Sequence, residues 1–187
     1  MLAMPSNLLA HHLKVLQSVG LIVRRQSEGD HRRSYLRLVP GGLDPLVAGP
    51  LRVPARVLFV CTANSARSHL AAALWRRASA VPVASAGTHP ASRIDPGALA
   101  AAARHRLPMR IRRPRRLEEV QGDGDMIITV CDLAHEELGV RSELHWSVPD
   151  PVPVGTQLAF NRTFDELARR VTELAPRLPG AAVASAN

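Results

Sequence analysis

Residues 56–68 read RVLFVCTANSARS, and the fold turns on them. Arg56 to Val60 is a mostly apolar run suited to a buried strand, and the alanine-rich stretch Ser68 to Ala78 reads as a helix. Between them lies a loop of small and polar residues, bracketed by Cys61 and Arg67. A loop running from a strand into a helix N-terminus gathers backbone N–H groups at one point, and the helix dipole adds positive potential there. The fork of Arg67 can grip two oxygens of a tetrahedral anion. The same field favours a nucleophilic thiolate at Cys61, which Ser68 is placed to hydrogen-bond. In a chain this rich in arginine the bare C-x5-R spacing is weak; the strand end before it and the helix start after it carry the reading.

Downstream, strands and helices alternate. Val81–Ala84 reads as a second strand, Pro96–Arg104 as a helix and Met126–Val130 (MIITV) as a central parallel strand. Ala134–Leu138 starts another helix, Glu143–Trp146 suits a short edge strand, and an amphipathic helix covers Gln157–Leu174. This alternation predicts an α/β domain over residues 55–180, a doubly wound four-stranded parallel sheet with its ligand beyond the C-terminal strand ends. Upstream, residues 40–54 (PGGLDPLVAGPLRVP) hold four prolines and three glycines, and residues 48–54 are assigned as a linker. Residues 1–47 form a first unit. A helix there begins near an N-cap at Ser6, carries Leu8, Leu9, Leu13 and Leu16 at helical spacing, and ends at Gly20. The strands Leu21–Val23 and Ser34–Val39 then flank a long basic loop, RRQSEGDHRR.

The 187-residue chain is 46% apolar and has a formal charge of +8, nearly all of it from arginine, since Lys14 is the only lysine. That charge favours anionic partners. No apolar run is long enough for a membrane helix and no signal peptide is visible, so a cytoplasmic location is expected. Two cysteines, Cys61 and Cys131, exclude a disulfide scaffold and a four-thiolate zinc site, and no metal is expected. His135 and His145 lack paired ligand spacing and read as surface or edge residues; the basic stretch Arg110–Arg116 reads as a solvated loop.

Residues 57–75, VLFVCTANSARSHLAAALW, resemble the active-site segment of the low-molecular-weight protein tyrosine phosphatases and their relatives, the arsenate reductases. Ser85-Ala86-Gly87-Thr88 resembles the family's second signature, whose serine supports the loop asparagine, here Asn64. His145 to Pro151 (HWSVPDP) resembles its late Asp-Pro loop. The resemblance spans roughly residues 55 to 178. It implies that Cys61 is the nucleophile, Arg67 the oxyanion clamp and Asp150 the general acid. Thr62, Ala63, Asn64, Ser65, Ala66, Ser68 and Ser85 would form or support the anion loop. Ala63 stands where a glycine is common, so strain is expected there if the position needs positive φ. Ala66 replaces the loop's usual second cysteine. Cys131, at the end of the MIITV strand, resembles the second redox cysteine of thioredoxin-coupled arsenate reductases. A third would fall at Leu138, so the full thiol relay is absent.

The expected function is therefore thiol-dependent arsenate reduction without a cofactor. Electrons would come from an external reductant: thioredoxin, glutathione, or mycothiol with mycoredoxin. A chain only 3% aromatic, with Val152 and Pro153 after the Asp-Pro pair, offers little to a phenyl ring. A phosphatase acting on phosphotyrosine or a small phosphate monoester is the alternative. The first unit resembles the recognition helix and β-wing of winged-helix arsenical-resistance repressors, which makes a DNA-binding regulator a third reading. Ser6, Asn7, His11, His12 and Lys14 would address a groove, and Arg24, Arg25, Arg32 and Arg33 phosphates. The helices that normally precede such a segment are missing and no cysteine precedes Cys61. The unit is thus expected to be a truncated, partial winged helix-turn-helix, with DNA contact the lesser expectation.

Overall fold

The computed structural model describes residues 5–39 and 54–178. The chain divides into two compact units, 1–49 and 50–187. The stretch expected as a linker lies outside the described residues, apart from Pro54.

In the first unit α1 (Ser6–Ser18) precedes an antiparallel pair, β1 (Ile22–Gln26) and β2 (Ser34–Leu38). Pro5, not Ser6, caps α1, and no side chain satisfies the cap. The hairpin loop is shorter than the sequence suggests, because Arg24, Arg25 and Gln26 join the ladder opposite Leu36, Tyr35 and Ser34. The buried Ser27 closes the turn, its Oγ accepting from the N–H groups of Gly29 and Asp30.

The second unit is the expected four-stranded parallel sheet, in the order β4-β3-β5-β6. Its strands are β3 (Arg56–Cys61), β4 (Val83–Gly87), β5 (Asp125–Thr129) and β6 (Leu144–His145); its helices are α2 (Arg67–Ala78), α3 (Pro96–Arg104), α4 (Asp132–Leu138) and α5 (Gln157–Leu174). β3 is central, and Val57, Leu58, Phe59 and Val60 are wholly buried, as a run without alternation requires. The second strand starts later than expected. Pro82 has no N–H to give, and its carbonyl instead accepts from Val57, so the paired register opens at Val83 and runs on through Ser85, Ala86 and Gly87. Trp75 and Trp146 both belong to the core: Trp75 donates Nε1–H to the Val81 carbonyl, and both rings pack on Phe59. Among the described residues, no helix is long and apolar enough to cross a membrane.

Candidate active site

Because β3 ends at Cys61 and α2 begins at Arg67, residues 62–66 turn within one short loop. Ala66 offers α2 no capping side chain, so the first helical N–H groups have no side-chain acceptor and are suited to an anion. The Asn64 N–H donates to Cys61 Sγ at 3.2 Å, and the Ser68 hydroxyl lies 3.1 Å from the same sulfur. Asn64 Nδ2 donates to Ser68 Oγ at 2.8 Å, which leaves the hydroxyl proton free to point at Cys61.

Asn64 carries the backbone strain of the loop, with φ of 47°. Ala63 does not share it, so the strain expected there falls one residue on, where asparagine tolerates the left-handed region better than most residues. The side chain of Asn64 is pinned at both ends, by Ser68 and by the Arg115 N–H, which reaches its Oδ1 at 3.0 Å. Ser85, expected to hold it, is not among these partners. Gly87, two residues beyond Ser85 at the end of β4, sets the packing behind the loop: a Cβ there would stand 2.6 Å from the Thr62 carbonyl oxygen and 2.9 Å from Asn64. Thr62 and Ala63 are half-buried, whereas Ser65 and Ala66 are buried.

Arg67 and Asp150 meet across 83 residues of sequence. The Arg67 guanidinium donates to Asp150 Oδ2 at 2.7 Å and to the Val148 carbonyl at 3.0 Å. Arg67 is buried, while the Asp150 side chain is 36% exposed and so opens to solvent. Cys131 lies two residues beyond the end of β5. Thr129 pairs with Val60 in the neighbouring strand, and the Val130 N–H bonds the Val60 carbonyl, so the two cysteines leave adjacent strands close together. Cys131 Sγ lies 3.4 Å from the hydroxyl of Thr62 in the loop. Burial pushes the Cys131 thiol up, and the charge of Cys61 pushes it further.

His135 and His145 are half-buried rather than superficial. Their rings stack 4.0 Å apart, Thr129 Oγ1 contacts both, and His145 Nε2 lies 3.1 Å from the buried carboxylate of Asp132. Neither spacing nor motif marked this cluster in the sequence. The residues considered for DNA contact, Ser6, Asn7, His11, His12, Lys14, Arg24, Arg25, Arg32 and Arg33, are all exposed. Three of them already face acids of their own hairpin: Arg25 lies near Glu28 at 3.6 Å, and Arg32 and Arg33 lie 3.1 and 3.4 Å from Asp30.

A thiol, a buried guanidinium and a carboxyl grouped around a strand–loop–helix turn at the C-terminal end of a central parallel strand define a phosphatase-loop α/β protein. Residues 56–184 match the family described as low molecular weight phosphotyrosine protein phosphatase, and the chain belongs to that family. The match begins at residue 56 and lends nothing to the winged-helix resemblance of the first unit. Similar solved structures include an arsenate reductase from Archaeoglobus fulgidus, 30% identical over 64% of this chain and 98% of that one, with a TM-score of 0.56. The YwlE arginine phosphatase from Geobacillus stearothermophilus is 25% identical over 67% and 93% of the two chains, with a TM-score of 0.58. The tyrosine phosphatase Wzb from Escherichia coli K30, solved with sulphate, shares the fold at 19% identity over 67% and 99%, with a TM-score of 0.61. A search of curated proteins gives no match.

Proposed function

We propose that the protein is a thiol-dependent arsenate reductase of the cytoplasm. The observation that carries this reading is the second thiol: Cys131 stands against Thr62 of the anion loop, near enough for the charge of Cys61 to act on it. In this reading the loop N–H groups and Arg67 hold arsenate, and the Cys61 thiolate attacks arsenic. Asp150 gives its proton to the departing oxygen, which leaves as water. Cys131, as thiolate, then attacks Cys61 Sγ. The S–As bond breaks, its electron pair passes to arsenic as arsenite departs, and a Cys61–Cys131 disulfide remains. An external thiol reduces that disulfide. An A. fulgidus arsenate reductase at 30% identity supports the substrate class.

The second reading is a phosphatase, on a phosphate monoester or another phosphorylated group. It is favoured by the burial of Cys131, whose raised thiol pKa makes it a slow nucleophile, and by the likeness to YwlE at 25% identity. The comparisons give no support to DNA recognition by the first unit.

The test measures arsenite formation by wild type, Cys61→Ser and Cys131→Ser, each with thioredoxin, glutaredoxin plus glutathione, or mycoredoxin plus mycothiol. Arsenite that requires both cysteines supports the internal disulfide; arsenite that requires Cys61 alone assigns the second attack to the external thiol. No arsenite with any donor, alongside phosphate-ester hydrolysis that survives Cys131→Ser, makes the protein a phosphatase.

A further inference from the structure

A second cavity of about 190 Å³ opens in the enzyme-like unit, lined by His69 and by Arg76, Arg110, Arg112, Arg113 and Arg115. Cys61, Arg67 and Asp150 take no part in its wall. Among the described residues, none of these five guanidinium groups has a carboxylate within ion-pairing distance. Arg56, at the same wall, shows what compensation looks like: its Nε donates to Asp125 at 2.8 Å, and its Nη2 reaches the other carboxylate oxygen.

The uncompensated charges act on their neighbours. Burial lowers the pKa of Arg76, and the positive charges of Arg110 and Arg112 lower it further. His69 is pushed down to about 4 by burial and then by Arg76 and Arg115. Its Nε2 is buried with no hydrogen-bond partner. Like charges gathered along one wall with no carboxylate among them repel one another, and a multivalent anion relieves that repulsion. His69, in the same wall, is held neutral by burial and by these charges, and adds none of its own.

We propose that this cavity is a non-catalytic anion site for a small oligophosphate, a compact ligand with two or more adjacent phosphoryl groups. One guanidinium fork satisfies a single tetrahedral anion; five forks around one cavity match several linked ones. No Phe, Tyr or Trp lines the wall to stack a base, which disfavours single-stranded nucleic acid. The site adjoins the catalytic loop, since Asn64 and Ser85 also line the cavity. The Arg115 N–H holds Asn64 Oδ1, and the Asn64 N–H holds Cys61 Sγ, so two hydrogen bonds join the basic segment to the thiol. The assignment stands whichever reaction Cys61 performs.

The experiment titrates tripolyphosphate into the full-length protein by calorimetry, with Cys61 first carboxymethylated by iodoacetate so that a carboxylate fills the catalytic loop. The expected result is saturable one-to-one binding that weakens at least tenfold in Arg76→Gln and in Arg112→Gln. Orthophosphate should bind at least tenfold more weakly than tripolyphosphate. Arg141→Gln, which removes an exposed arginine outside this wall, should bind as wild type does. Arg112 is exposed, so its variant decides the matter if Arg76→Gln fails to fold. Absence of saturable binding overturns the proposal, and so does equal weakening by Arg141→Gln, which would reduce the effect to net charge. A short RNA lacking terminal phosphates that displaces tripolyphosphate through the same arginines also overturns it, in favour of nucleic acid.

Discussion

α1 and β3 are both rich in apolar side chains, yet they end in opposite environments. No residue of α1 is buried, and Leu8, Leu9 and Val15 lie open to solvent. Every residue of β3 from Val57 to Cys61 is at most 2% exposed. Apolar content supplies the drive for burial, but a core needs a second layer to close over it. In the second unit α2, α5 and the flanking strands provide that layer; in the first, among the described residues, only Ile22 and Ser27 are buried. So small a unit has too little interior to be held firmly by its own contacts. Stability and chemistry are therefore concentrated in the second unit.

The contrast can be sharpened by substitution. The largest effect is expected from Cys61→Ser, which should lower turnover by on the order of 10⁴-fold with little change in melting temperature, as removal of an activated nucleophile does elsewhere. Next, Phe59→Ala should cost about 3–5 kcal/mol in chemical denaturation, since the side chain is fully buried between Trp75 and Trp146. Third, His69 should make the second unit acid-sensitive. Its folded pKa of about 4 lies below the ordinary 6.5, so the unfolded chain binds more protons between those values. The stabilisation is complete above about pH 6.5, falls as pH drops toward 4, and amounts to about 3 kcal/mol. Subtracting His69→Gln from wild type, in denaturant titrations at pH 7 and pH 4.5, should expose most of that loss; a flat difference would refute it. Smallest is Leu9→Ala in α1, expected to change stability by less than about 0.5 kcal/mol. A loss above about 2 kcal/mol there would break the comparison, by showing that α1 is covered in solution.

Local chemistry was legible in the sequence. The strand–loop–helix around Cys61 needed only neighbouring residues, and the parallel sheet followed from the alternation after it. Boundaries slipped where one residue changed the hydrogen bonding, as Pro82 did for β4. What escaped is long-range. The Arg67–Asp150 pair joins residues 83 apart, the Arg115–Asn64 bond residues 51 apart, and the His135–His145 stack forms because α4 and β6 return to one sheet edge. Arg67 and Asp150 are placed in one site by the family resemblance alone, and nothing local marks their direct bond or the other two meetings. The basic run Arg110–Arg116 is mostly exposed, as a solvated loop would be; that four of its arginines share a wall with His69 and Arg76 is a property of the folded chain.

The grip of Arg67 on Asp150 and Val148 has a thermodynamic consequence. An anion that takes both Nη groups of Arg67 competes with two acceptors already bonded to them. The apparent affinity is then a difference between the bonds gained and those surrendered. Weak monovalent anions such as chloride, abundant in any buffer, offer too little to unseat a carboxylate and a carbonyl together, whereas a multiply charged oxyanion offers enough. The site thus sets its own admission threshold, and an entrant that displaces the Asp150 carboxylate strips it of its cationic partner, which makes that carboxylate easier to protonate.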